Sequence, residues 1–266
     1  MKVFLKILKV ILTIVFFSYT LFVLYFLGLA PKEKRFKIAG HQQGVYLSQT
    51  MFNILTYQNP NYSDAYFEQS VPFNKRGDFA TGFQLLNKAV ELDPSLHLGY
   101  RGYMKLRFLR DYKKALFDLN RLDSLTPNFT DAPWGEDIDF LRGECHFGNK
   151  EYQKAIDCFN RNVKNNKEDW VDINTFTYLG MCEYELGNYE KSISEFNRVL
   201  KQSENTPEAH FGLAKAYLKL ENLDKVNEHI LKAEKSIDYK REDPYKEFQN
   251  EIYLEEITEF KQKMNQ

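Results

Sequence analysis

The stretch FLRGECHFGNKEYQKAIDCFNRN, Phe140 to Asn162, decides the fold. It reads as two short amphipathic helices joined at Gly148-Asn149-Lys150. Tyr152, Ala155 and Phe159 fall on one face of the second helix, at offsets of three and seven residues. Gly143, nine residues before Tyr152, is the small residue that lets the two helices approach closely. A hairpin this short cannot bury its own apolar face in water. It needs similar hairpins on either side, so the rest of the chain should contain copies.

Copies are present. The position of Tyr152 recurs at Val45, Phe79, Tyr112, Tyr189 and Leu223, in successive steps of 34, 33, 40, 37 and 34 residues. Three residues after each anchor stand Ser48, Gly82, Ala115, Ala155, Ser192 and Val226, which are mostly small. Seven after stand Phe52, Leu86, Leu119, Phe159, Phe196 and Ile230, all large and apolar. Ten after stand Leu55, Ala89, Leu122, Asn162, Val199 and Ala233. Pro60, Pro94 and Pro127, fifteen after the first three anchors, read as helix stops.

One period with several registered columns resembles the tetratricopeptide repeat (TPR), a helix–turn–helix unit of about 34 residues. Leu179-Gly180, Gly187, Tyr189 and Phe196 match its pattern best, with Leu213-Ala214, Tyr217 and Ala233 close behind. Tyr103, bulky where a small residue is usual, and Asn162, polar where Ala is expected, depart from it. The resemblance covers roughly residues 43 to 240 and implies an all-α, right-handed solenoid of five repeats plus a half repeat.

Net charge is −1, but the charge is unevenly distributed. Residues 1–40 hold Lys2, Lys6, Lys9, Lys32, Lys34, Arg35 and Lys37 against Glu33, whereas the remainder has 29 basic and 36 acidic residues. An acidic main body makes nucleic acid an unexpected partner. Val10 to Ala30 runs 21 residues without a charge. At about 1.5 Å per residue that crosses a bilayer core of about 30 Å. A cleaved signal peptide competes with this reading, since Gly28-Leu29-Ala30 offers small residues for a peptidase. The long apolar run and Pro31 after the cut favour an uncleaved anchor over residues 1–30. Positive charge flanks both ends, so orientation is weakly marked. The expectation is a bacterial inner-membrane protein with its repeats on the periplasmic side. Cys145, Cys158 and Cys182 pull the other way: they form no C-x-x-C, read as buried filler, and favour a reducing compartment.

Residues 31–42 read as a basic linker, and Gln43–Tyr57 as a half repeat lacking its first helix. Pro72 should kink the first helix of repeat one. The 40-residue step contains an insertion, Asn128 to Gly135, whose Trp134 either packs over the neighbouring repeats or binds a ligand. Lys167-Glu168-Asp169-Trp170 extends the next step and leaves Trp170 with the same alternatives. After Asp243-Pro244, a capping helix over 241–266 should carry Tyr245, Phe248, Ile252, Ile257 and Phe260 on its inner face.

No nucleophile elbow, P-loop, dinucleotide fingerprint or zinc-protease motif occurs in the sequence, and the five histidines form no i, i+4 pair. Glu136, Asp137 and Asp139 would suggest paired acids for catalysis or, more simply, a helix start favoured by the dipole. The chain is therefore read as a non-enzyme; no cofactor, metal or small-molecule substrate is expected.

The TPR resemblance implies that first helices line a groove. Twelve residues before each complete anchor stand Phe67, Tyr100, Phe140, Thr177 and Phe211. With Arg101, Glu144, Tyr178 and Met181 they predict an aromatic groove with a few charges, suited to an extended peptide or amphipathic helix. The competing reading has these aromatics filling space between neighbouring helices. The Lys and Asn set with which some TPR proteins clamp a C-terminal carboxylate is replaced here by Phe67, Val71, Arg101, Asp137 and Leu141. The sequence thus points to a membrane-tethered adaptor for a protein partner. A structural subunit of a larger membrane or secretion complex, and a ligand or carbohydrate binder using the Trp134 loop, are the alternatives.

Overall fold

The computed structural model describes residues 2–168, 170–239 and 248–264, and every regular element among them is helical. The chain divides into two compact units, residues 1–101 and 102–266.

The first unit opens with α1 (Lys2–Leu24), which continues through a π-helical turn, Tyr25–Leu29. Together Val3–Leu29 make one exposed helix, long and apolar enough to cross a membrane. The residues expected as a linker instead form α2 (Lys32–His41), which packs on α3 (Tyr46–Gln58). The "half repeat" therefore has its first helix. Lys32, Lys34 and Lys37 masked an apolar seam in the sequence: Ala39 is buried and Phe36 meets Phe52 and Tyr62 edge-on or tilted. Ser48 donates to the Ala39 carbonyl at 2.7 Å across that seam.

Next come α4 (Ser63–Lys75) and α5 (Phe79–Leu92), then the start of α6 (Pro94–Arg107). Helix α4 continues through Pro72. Proline has no N–H, so the Glu68 carbonyl four residues earlier loses its helix donor. Gln43 Nε2 donates to that carbonyl at 3.2 Å and to Glu68 Oε2 at 2.5 Å.

In the second unit, α6 ends and is followed by α7 (Tyr112–Leu125), α8 (Ile138–Gly148), α9 (Tyr152–Asn166) and α10 (Ile173–Glu185). Then come α11 (Tyr189–Gln202), α12 (Pro207–Lys219), α13 (Leu223–Lys235) and α14 (Leu254–Met264). Helices pair in sequence as α8/α9, α10/α11 and α12/α13. The anchors Phe79, Tyr112, Tyr152, Tyr189 and Leu223 are each the first residue of a second helix.

The residues three, seven and ten positions beyond the anchors are all buried, Asn162 included, because its amide oxygen accepts from Thr175 at 3.0 Å. The close approach at Gly143 and Gly180 is real. A Cβ there would sit 2.5 Å from Phe159 and 2.8 Å from Phe196, respectively. Each hairpin turn places one residue in the left-handed region, two positions before its second helix: Gly44, Gly77, Arg110, Lys150, Gly187 and Glu221.

The Asn128–Gly135 insertion ends in a 3-10 turn, with Trp134 half exposed and tilted over Tyr103 at 6.3 Å. Asp169 lies outside the described residues, while Trp170 is 83% exposed. Cys145, Cys158 and Cys182 are buried free thiols, their pKa values raised by burial. His210 and His229 are buried with their Nδ1 atoms 3.1 Å apart.

The expected terminal helix is shorter than the sequence implied. Asp243, Pro244 and Tyr245 lie outside the described residues. Phe248 to Tyr253 are not helical, and only Leu254–Met264 forms the helix. Tyr253 N–H donates to Glu256 Oε2 at 2.9 Å, the capping bond that starts α14. Ile252 and Ile257 close a small core with Ala214, Val226, Ile230 and Ala233.

Candidate functional site

In the first unit the predicted groove residues pack against each other. Phe67 of α4 stacks on His97 and meets Tyr100 edge-on, both at 5.1 Å, and Tyr100 is buried. Arg101 Nη1 donates to Asn87 Oδ1 at 2.9 Å.

The richer cluster lies in the second unit, on the face formed by its first helices. Arg107, at the end of α6, points its guanidinium at two buried carboxylates. It pairs with Glu144 Oε1 of α8 at 2.7 Å and with Glu136 Oε2. Tyr178 of α10 donates its hydroxyl to the same Glu144 oxygen at 2.9 Å. Glu144 is only 3% exposed and Tyr178 only 1%.

Burial drives the Glu144 carboxyl above its ordinary pKa despite the pull of Arg107. Burial opposes the charge on Arg107, but Glu144 and Glu136 overcome it and hold the guanidinium charged. Burial, reinforced by Glu144, keeps the Tyr178 phenol protonated. The network is not saturated by the described residues: among them, Glu144 Oε2 and Arg107 Nε are buried without a hydrogen-bond partner. Such orphans cost about 1–3 kcal/mol each, so this is a polar site held inside an apolar frame at some expense.

Tyr178 is also the centre of an aromatic cluster. Its ring stacks on Phe159 at 5.2 Å and meets Phe140 and Phe147 edge-on at 6.1 and 5.1 Å. Met181 is half-buried against the same core. The sequence placed Thr177 in the groove column. Thr177 is instead buried and bonds back to the Ile173 carbonyl, while its neighbour Tyr178 joins the aromatic cluster.

The cluster is occupied by the chain itself. Phe248 meets the Tyr178 ring edge-on at 5.1 Å. Asn250 Nδ2 donates to the Tyr178 hydroxyl at 2.9 Å. Gln249 Nε2 reaches the carbonyls of Leu106 and Arg107, each at 3.3 Å. Those carbonyls end α6 and have no partner within their helix. The Ile252 N–H donates to Glu208 Oε1 of α12 at 3.3 Å. Phe211 of α12 meets Phe260 of α14 at 5.5 Å. Residues 248–252 thus touch α10, α6 and α12. Sequence reasoning named Glu144, Tyr178 and Phe211 for this face but missed Arg107, Gln249 and Asn250. It also put Phe248 on a helix.

The acids near the insertion have structural work. Glu136 pairs with Arg107, while Asp137 caps α8, accepting from the Asp139 N–H at 2.8 Å. Asp139 pairs with Arg142 and Arg161.

A sequence profile of the TPR repeat matches residues 180–221. No curated protein matches the sequence. Solved structures do. The crystal structure of MamA protein aligns with a TM-score of 0.57 at 19% identity, covering 70% of this chain and 97% of that one. Residues 41 to the end of MamA from Desulfovibrio magneticus RS-1 give 0.57 at 18% identity, over 65% of this chain and 94% of the other. YrrB, described as a TPR protein with an unusual peptide-binding site, gives 0.56 at 19% identity, over 70% and 91%.

Proposed function

Because this chain has the TPR solenoid fold, whose hairpins present surfaces for other proteins, we propose that it is a membrane-tethered adaptor. Its groove holds an extended segment of a partner protein. One observation carries this reading: residues 248–252 lie non-helically on the first-helix face, held at Tyr178, at Glu208 and at the end of α6. The groove therefore already grips a non-helical segment, chiefly through that segment's aromatic and amide side chains. The description of YrrB as peptide-binding supports the same use of this fold. The tether is Val3–Leu29, exposed over most of its length and apolar throughout its centre.

Site-specific photo-crosslinking in cells tests the groove. A photo-reactive residue at Met181 or Phe211, on the first helices, should yield a defined protein adduct. One at Phe117 or Leu231, exposed on second helices, should not. Equal adducts from both faces, or adducts from the second helices alone, would remove the groove from the proposal.

A further inference from the structure

The segment on the groove is the chain's own, and its fit is incomplete. Phe248 supplies an aromatic edge to Tyr178, and Asn250 supplies an amide N–H to the Tyr178 hydroxyl. Neither reaches Glu144 Oε2, which is buried with no donor among the described residues. Both Phe248 and Asn250 are only half-buried, whereas the residues they touch are almost wholly enclosed. The occupant is joined to α13 through residues 236–247 of the same chain, so any competitor meets it as an intramolecular ligand.

We propose that residues 248–252 are a built-in occupant of the groove, and that the true partner is a peptide segment of the same recognition chemistry. It presents an aromatic side chain to Tyr178 and, two residues on, a primary amide to the Tyr178 hydroxyl. This rests on the groove reading above and gives the partner's chemical class. The tethered occupant raises the partner's apparent Kd by the ratio of closed to open groove.

The test uses the full chain in detergent and a fluorescent peptide of sequence Phe-Gln-Asn-Glu-Ile-Tyr, copied from residues 248–253. The parent chain should bind it weakly. The double variant Phe248→Ala/Asn250→Ala, with the occupant released, should bind it at least about tenfold tighter. Peptides with Ala in place of Phe or Asn should lose that gain. In the parent, excess peptide should raise hydrogen exchange at residues 248–253, and this readout decides the matter if the double variant folds poorly.

Unchanged affinity in a folded double variant overturns the proposal, as does equal binding of the Ala peptides. So does concentration-dependent dimerisation of the parent that the double variant abolishes, since the segment would then serve a second copy. The groove reading fails separately: crosslinks from Met181 with no peptide gain would leave it standing and sink only the built-in occupant.

Discussion

His210 and His229 show how one proton decides a buried contact. His210 Nε2 lies 2.9 Å from the Glu204 carbonyl, so that nitrogen carries the hydrogen. Its Nδ1 is then a bare acceptor for His229 Nδ1–H. A second proton on His210 would put two N–H groups face to face. Burial lowers the pKa of both rings, with His229 down to about 4 and further depressed by His210. The charges around the pair are Lys225 and Lys232 against Glu228. A folded pKa below the unfolded value of about 6.5 means that the stabilisation is complete above pH of about 6.5 and is lost as pH falls towards 4. Thermal melting should therefore drop between pH of about 7 and 5, by an equivalent of about 1–2 kcal/mol. His229→Asn should flatten that slope; a slope unchanged by the substitution would assign it to other groups. Tyr178 and Glu144 work at the same scale, through a hydroxyl and a carboxylate whose partners come from α6 and from residue 250. That is why the sequence could name both residues yet not their meaning: their contacts are 34 to 72 positions away.

At the scale of the helical hairpin, periodicity carried most of the information. Leu86, Leu119, Phe159 and Phe196 are buried where their spacing placed them, because a 34-residue period leaves no other register for the apolar face. The turns were harder to read. Gly187 advertises a left-handed conformation, but Lys150 holds φ of 61° at the equivalent place with nothing in its identity to show it. Helix α2 was hidden by its lysines, and the 248–253 stretch by Phe248 and Ile252, whose i, i+4 spacing imitates a helix face. Two substitutions probe the hairpin geometry by thermal denaturation. Lys150→Gly relieves left-handed strain and should raise stability by up to about 1 kcal/mol. Gly180→Ala forces a Cβ to within 2.8 Å of Phe196 and should lower it by about 1–3 kcal/mol. A neutral Gly180→Ala would mean that α10 and α11 separate freely, contrary to ridge-close packing.

At the scale of the whole molecule, the proposed membrane tether can be tested by location and by mass. The full chain should sediment with membranes and resist alkaline extraction. A variant lacking residues 1–30 should be released, and the mature protein should retain residues 1–30 by mass. A mass short by the first thirty residues would make the segment a leader instead.

The end of that helix is fastened down. Buried Arg35 donates from Nη1 to the Leu27 carbonyl at 3.3 Å and to Gln58 Oε1 at 2.6 Å, and Gln58 reaches the Gly28 carbonyl at 3.4 Å. Only Ala30 and Pro31 separate the π-helical turn from α2. On the membrane-spanning reading the first hairpin has no leash. It cannot sweep a volume above the lipid as a domain on a long flexible stalk would. Its encounters become those of a surface-bound body, set by lateral diffusion, and anything it meets must itself reside on the bilayer or extend down to it.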